Sequence, residues 1–332
     1  MSFDKYLIRK VESSFVRTLF FYIKNVLWCR APERRNMKIA YIDTSVNSVL
    51  VDMIRRNQSK LKAIICSSEM PDPRLKNVAP EGKDKLPASF RNGKIILYTD
   101  ADVIIVIGEL NKLFAFCDEL TDISALGRWD LAMVTIMDQM FYGCKSLSNF
   151  EPLKNWDVSN VRSMNEVFGW CESLTSTSFL MDWDTSNCSF MSAMFTSCGI
   201  LKDIRGIGFL DFSKVNDMAL FFENCYELED IEPIRNLDVS RVTLMNGMFS
   251  CCWSLIDIEP ISKWNTSRVK DFSRMFFSCN QLLDIRPITY WTISKNADTD
   301  EMFTSCKKII DNLTIYLIHK FKINMDDVKD VK

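Results

Sequence analysis

The chain has 332 residues, a length typical of one long domain or of two domains, and its hydrophobic and charged fractions of 47% and 25% exclude a disordered or collagen-like chain. It contains only 10 glycines and 9 prolines, which leaves little material for a glycine-rich phosphate-binding fold. Its single histidine, His319, excludes multi-histidine metal sites and most histidine-based catalysis.

The net charge of −2 hides an uneven distribution along the chain. Residues 1–100 carry 19 Lys and Arg against 10 Asp and Glu, whereas residues 101–332 carry 22 against 33. A basic N-terminal part and an acidic body predict two regions with different surfaces. The basic part could meet an anionic membrane surface or nucleic acid, or its charges could merely attract the acidic body or face solvent.

The first apolar stretch of the chain, Phe15–Trp28, predicts a buried helix and not a targeting segment. Arg17 and Lys24 interrupt it, so it matches neither a signal peptide nor a membrane span. We therefore expect an intracellular, cytoplasmic protein without signal peptide, lipid anchor or transmembrane segment. In that compartment its 12 cysteines would be reduced.

Residues 1–110 show no repeat and predict a small α/β or α+β head. Short apolar runs rich in β-branched residues are typical of strands, and one longer amphipathic run between two of them is typical of a helix. A proline-rich, charged segment predicts an exposed loop. The predicted strands are Lys38–Ile42, Leu61–Cys66, Lys94–Leu97 and Val103–Ile107, the helix is Ser45–Arg56, and the loop is Pro71–Pro87.

Seven copies of a 27-residue repeat follow the head, preceded by a partial copy. Three columns of apolar residues stay in phase throughout. One copy cannot bury its own apolar residues, whereas stacked copies bury each column as a ladder. The columns are Trp129, Trp156, Trp183, Leu210, Leu237, Trp264 and Trp291; Phe141, Phe168, Phe195, Phe222, Phe249, Phe276 and Phe303; and Cys144, Cys171, Cys198, Cys225, Cys252, Cys279 and Cys306.

The copy from Leu228 to Cys252 shows the expected elements of each repeat. From Val242 onward its apolar positions are spaced like one face of an α-helix, and Ser240 is placed to cap that helix. The segment Glu229–Glu232 fits a strand of three or four residues, which Pro233 would end. The sequence therefore predicts an α/β solenoid: a leucine-rich-repeat-like stack of seven 27-residue strand–helix repeats.

We expect this solenoid to occupy residues 111–310, followed by a capping helix and tail over residues 311–332. Its motif resembles the BspA-type leucine-rich repeat and, more narrowly, a mycoplasma-type surface-protein repeat domain of unknown function. The resemblance covers residues 117–310 and implies a solenoid used in binding and adhesion, without known enzymatic activity. The motif consists of Trp156-Asp157-Val158-Ser159-Asn160-Val161 followed by Met164, Phe168, Cys171 and Leu174.

The ladder residues are better explained as buried core residues than as metal-binding or ligand-binding sites. Zinc and iron–sulfur sites favour local cysteine pairs such as Cys-x-x-Cys, which are missing from the sequence, so we interpret the cysteine and methionine columns as core. The tryptophan column is interpreted as core in preference to an exposed strip for sugars or bases. The aspartate after it, such as Asp157, is expected to accept hydrogen bonds from turn amides and not to bind cations.

The sequence contains no nucleophile-elbow, P-loop or dinucleotide-binding motif, so we expect no enzyme, cofactor or metal site. We expect a non-catalytic scaffold that binds a protein partner through the strand face, although that face could also be merely solvated. The alternative is that the basic head binds an anionic membrane or nucleic acid, with the solenoid as a spacer; a head enzyme is least favoured. The candidate partner-binding residues are Arg205, Glu232, Arg235, Glu259, Lys263, Arg286 and Tyr290.

Overall fold

The computed structural model describes residues 37–69 and 75–309. Its N-terminal part contains two small sheets and one α-helix. The first sheet is parallel, with strand order β1-β6-β7, and the second has the order β2-β5-β4-β3, of which only the β2–β5 pair is parallel. The elements are β1 (Ile39–Asp43), α1 (Val49–Asn57), β2 (Ala63–Ser67), β3 (Lys76–Asn77), β4 (Pro87–Arg91), β5 (Lys94–Tyr98), β6 (Val103–Ile107) and β7 (Trp129–Asp130).

Helix α1 forms because one of its faces is apolar and its first turn is capped. The Ser48 hydroxyl accepts a hydrogen bond from the Val51 amide at 3.3 Å, which satisfies one of the free amides of the first turn. Leu50 and Ile54 are buried on its apolar face. The bounds of the four strands predicted for the head agree to within two residues with those of β1, β2, β5 and β6.

Pro71–Pro87 was expected to be an exposed loop, which is wrong for its described part: β3 lies there, and Val78 is buried in the core together with Leu86 just before β4. The helix predicted at Phe15–Trp28 lies outside the described residues. The C-terminal segment 311–332 also lies outside them, and the division of the chain into head, repeats and cap stays a prediction.

Each 27-residue copy is hydrogen-bonded to the next through its backbone. Single parallel bridges join residues one repeat apart, such as Leu244 and Asp271. Beside each bridge, every second amide donates to a carbonyl of the next copy. In one junction Met245, Gly247, Phe249 and Cys251 donate to Asp271, Ser273, Met275 and Phe277 at 2.7–2.9 Å.

The predicted α/β solenoid of strand–helix repeats is wrong, because the described repeats contain turns and 3₁₀ helices where α-helices were expected. Within the described residues, the only α-helix is α1. After Val242 the chain forms consecutive turns, each closed by a backbone hydrogen bond between residues three apart. The Met248 amide donates to the Met245 carbonyl, and the Cys252 amide donates to the Phe249 carbonyl. Ser240 therefore caps no helix.

Left-handed backbone explains why this segment cannot be an α-helix. Each copy has two residues with positive φ, four residues apart, such as Gly247 at 60° and Cys251 at 58°. A left-handed residue ends an α-helix. The amides of the two left-handed residues and of the residue midway between them then point to the neighbouring copy and bond there. Apolar spacing of three thus fits consecutive turns as well as it fits a helix.

The predicted strand before each proline is also absent from the described repeats. Glu229–Glu232 leads into a 3₁₀ helix, and Pro233 lies within the first turn of that helix, where its missing amide costs no hydrogen bond. Seven such 3₁₀ helices begin 27 residues apart. They are Ser124–Arg128, Glu151–Leu153, Ser178–Leu180, Arg205–Phe209, Glu232–Ile234, Glu259–Ile261 and Arg286–Tyr290; an eighth, Gln58–Lys60, follows α1.

The core of the repeats is formed by the predicted ladders, which are buried as expected. Eight phenylalanines, from Phe114 to Phe303, stack with ring centroids 5.2–6.1 Å apart between neighbours. Each buried Phe or Leu stabilises the fold by about 1.5–3 kcal/mol. The indole of Trp156 donates to the Leu126 carbonyl of the preceding copy at 2.8 Å, and Trp183, Trp264 and Trp291 donate in the same way. The buried indole nitrogen of Trp129, in contrast, has no hydrogen-bond partner within the described residues.

Candidate functional site

The 3₁₀ helices bring most of the predicted partner-binding residues onto one surface. Arg235 lies just after one of these helices and bonds both Glu232, at 2.6 and 2.7 Å, and Glu259 of the next copy, at 2.5 Å. Both contacts lower the pKa of the two carboxyl groups. Three of the seven predicted residues thus form one ion-pair network across two copies.

The arginines at the start of two other 3₁₀ helices pair with aspartates just before them. Arg205 bonds Asp203 at 2.7 and 2.9 Å, and these hydrogen bonds lower the pKa of that carboxyl group to about 2. Arg286 bonds Asp284 in the same way and lowers its pKa. These guanidinium groups are held in place on the surface by their partners.

Aromatic rings stand out from this surface at the ends of two 3₁₀ helices. Phe209 and Tyr290 are 64% and 78% exposed, and Lys263 occupies the same repeat position between them. Beside Tyr290, a concavity of about 370 Å³ is lined by Glu259 and Arg286 among others. Three of the predicted residues, Glu259, Arg286 and Tyr290, therefore meet at a groove between two copies, on 3₁₀ helices and not on strands.

A second surface, which the sequence prediction did not single out, lies where the turns meet the cysteine column. We call it the aromatic edge. In each of seven successive copies a large, at least partly exposed apolar side chain lies within two residues of the ladder cysteine, at positions that differ from copy to copy. These residues are Phe116, Tyr142, Trp170, Ile200, Tyr226, Trp253 and Phe277.

Glycines let the rings of the aromatic edge lie against neighbouring backbone. A β-carbon at Gly169 would lie 2.8 Å from Cδ2 of Tyr142, and one at Gly199 would lie 3.0 Å from Cδ2 of Tyr226. Real β-carbons essentially never approach as closely as the first distance, and the second would require the ring to give way by a few tenths of an ångström. One side of such a ring therefore packs against neighbouring backbone, while rings of the edge remain partly exposed to solvent: Tyr226 by 36%, Trp170 by 42% and Trp253 by 46%.

Two rings of this edge are already covered by cations of the chain itself. Lys145 Nζ lies 5.8 Å from the ring centroid of Trp170, and Arg274 Cζ lies 4.7 Å from that of Phe277. Such contacts are attractive because a cation interacts with the negative face of the ring. The edge thus provides a surface on which cations bind aromatic rings.

The remaining polar ladders serve the structure. Cys144 Sγ donates to the Phe114 carbonyl at 3.1 Å, and burial raises the pKa of its thiol well above the ordinary value. Asp157 accepts from the Ser159 amide at 3.1 Å, which confirms the predicted turn contact. Within the described residues, no group of three or more Cys, Asp, Glu or His side chains is arranged to hold a metal ion.

None of the helices described here is long and apolar enough to span a membrane.

Comparison with known proteins yields one family. No curated protein and no solved structure matches the chain. The family model described as "Mycoplasma protein of unknown function, DUF285" matches residues 108–205 and 201–316, which together cover more than half of the chain. The chain therefore belongs to the DUF285 family of mycoplasma-type repeat proteins of unknown function.

Proposed function

We propose that this chain is a non-catalytic binding protein that contacts a protein partner through the surface of its 3₁₀ helices. The observation that carries the proposal is the exposure of Tyr290 beside the groove lined by Glu259 and Arg286. Aromatic side chains and arginines are the residues that most often dominate binding energy at protein interfaces. Because the Tyr290 ring is largely exposed, it gains little stabilisation from burial within the chain itself.

The ion pairs of the surface support the same role. Arg235 is held between Glu232 and Glu259, so its guanidinium loses little further freedom when a partner binds. The likeness of the motif to BspA-type repeats, which implies binding and adhesion, is a second line of support. The buried thiols offer no reactive thiolate, which accords with a non-catalytic role.

The basic head remains a separate hypothesis. In its described part Lys38, Arg56 and Lys62 pair with Asp100, Asp52 and Glu119, so these charges are partly neutralised within the chain. Binding to anionic vesicles or to nucleic acid that weakens with salt and is lost on removal of residues 1–110 would favour this alternative.

The proposal is tested by capture of binding proteins from a lysate of the source organism, with the full chain as bait. A Glu232→Lys, Glu259→Lys, Arg286→Glu, Tyr290→Ser variant should lose at least one protein that the wild type retains. A control variant that swaps the exposed pair Lys145→Glu, Glu172→Lys should retain it, because this pair lies beside Trp170 and outside the 3₁₀-helix surface. Identical capture by all three baits would contradict the proposal.

A further inference from the structure

Tyr226 and Trp253 form a stacked pair in the aromatic edge. They lie one repeat apart, with ring centroids 4.2 Å apart and an interplanar angle of 26°. Gly199 provides the space in which the Tyr226 ring packs. Both rings remain more than one third exposed, so the pair presents a fixed aromatic platform to solvent.

The chain segment that carries this platform is strongly acidic. Residues 222–260 contain eight Asp and Glu against two Arg. Glu229 and Asp230 are exposed and lie three and four residues after Tyr226, and the exposed Asp257 lies four residues after Trp253. A concentration of one sign of charge beside exposed apolar rings attracts a partner of the opposite charge.

The other copies show what such a ring attracts. At neighbouring repeat positions, the single rings of Trp170 and Phe277 are covered by the chain's own Lys145 and Arg274. Over Trp253, within the part of the chain that the structure describes, no lysine or arginine lies in this way. Lys202 of the preceding copy is itself held by Glu227 at 2.8 Å.

From this internal comparison we propose that Tyr226 and Trp253 bind an arginine or lysine side chain of a basic peptide segment in a protein partner. The cation lies over the Trp253 ring, and the acidic side chains of Glu229 and Asp230 contact neighbouring basic residues of the same segment. This surface differs from the 3₁₀-helix surface of the proposed function. The inference rests on that function only in taking the chain to be a binding protein.

The test uses the full-length chain and a bead-displayed library of random dodecapeptides as the probe. Peptides retained by the wild-type chain should be enriched in arginine and lysine. In fluorescence anisotropy titrations, Trp253→Ala and Tyr226→Ala should weaken their binding by roughly three- to thirtyfold, and Trp253→Phe by less. Glu229→Gln, Asp230→Asn should weaken binding most at low salt.

The matched control is Trp170→Ala, which removes an equally exposed ring of the same edge that Lys145 already covers. It should leave peptide binding unchanged, and circular dichroism checks that each variant is folded. The proposal is overturned if no peptide is retained, if the retained peptides are not basic, or if they bind Trp253→Ala as well as the wild type. It is also overturned if the two rings instead bind single-stranded DNA or anionic vesicles.

The outcome of this peptide-binding test can be distinguished from the outcome of the capture test of the proposed function. Basic peptides that depend on Trp253, together with lysate capture unaffected by the 3₁₀-helix variant, would support this site and contradict the proposed surface. Loss of capture in that variant, with no Trp253-dependent peptide, would give the opposite result.

Discussion

The thiol of Cys252 donates a hydrogen bond to the backbone carbonyl of Phe222, thirty residues earlier, at 3.2 Å. The same contact, from cysteine to the phenylalanine carbonyl of the preceding copy, recurs through the column as far as Cys306 and Phe276, at 3.0 Å. A buried cysteine here fills core volume and also donates to a carbonyl of the preceding copy.

This contact predicts that Cys252→Ala lowers the free energy of unfolding by roughly 1–2 kcal/mol, because it removes a hydrogen bond and leaves a small cavity. The adjacent Cys251, which is only half-buried, is the matched control, and Cys251→Ala should change stability by less than about 0.5 kcal/mol. Urea unfolding followed by circular dichroism measures both. Equal losses in the two variants would contradict a structural role specific to the ladder.

Stability should fall in alkaline solution because burial raises the pKa of the ladder thiols. The pKa of Cys198 is raised from 9.0 to about 12, so the folded chain keeps a proton that the unfolded chain releases above pH 9. The stabilising effect of this neutral thiol is complete below pH 9 and is lost between pH 9 and about 12. Each such thiol contributes a slope of about 1.4 kcal/mol per pH unit in that range.

Urea titrations of reduced protein at several alkaline pH values check this prediction. Cys198→Ala should be less stable than the wild type near neutral pH but should lose stability less steeply above pH 9. Tyrosines and lysines titrate equally in both proteins, so the difference in slope reports the thiol. Parallel pH dependence of the two proteins would show that this cysteine does not contribute.

Arg205 is expected to control the ionisation of Asp203. Its two hydrogen bonds hold the pKa of Asp203 at about 2, so Arg205→Gln should raise that pKa toward the ordinary value of 3.8. The carboxyl carbon shift of Asp203 in an NMR titration measures the change directly. Lys202→Gln, which removes a neighbouring cation that pairs with Glu227, is the control and should leave the Asp203 pKa where it is.

Gly206 should tolerate no side chain, because its backbone approaches the preceding copy closely. A β-carbon there would lie 1.8 Å from the Thr177 carbonyl oxygen. We expect Gly206→Ala to destabilise the fold by at least about 1–3 kcal/mol, since the backbones of two adjacent 3₁₀ helices must move apart. Gly127→Ala, where the nearest atom is 3.3 Å away, should cost clearly less in the same thermal unfolding experiment.

The sequence predicted the period, the buried columns and most of the head strands. These follow from local pattern, since apolar residues that recur in phase can only be buried together. It did not predict the conformation of the turns. Met245 and Phe249 are spaced as on a helix, yet their amides bond carbonyls of the next copy, and this partner is invisible in the local pattern.

The candidate surface shows the same division. The outward positions of Glu232 and Arg286 could be predicted, because they flank buried isoleucines. The secondary structure that carries them could not be predicted: the sequence indicates a strand, whereas the structure has 3₁₀ helices. The pairing of Arg235 with Glu259 depends on the distance between two copies, which no single copy encodes.

What the sequence alone determined is that 27-residue copies share one core of phenylalanine, cysteine and tryptophan, because burial of apolar columns depends only on their spacing. What the tertiary structure decided is how the backbone reaches that spacing and which rings remain outside. Left-handed residues in each copy direct amides to the neighbouring copy instead of along a helix. That choice leaves the Tyr226 and Trp253 rings stacked against each other at the surface.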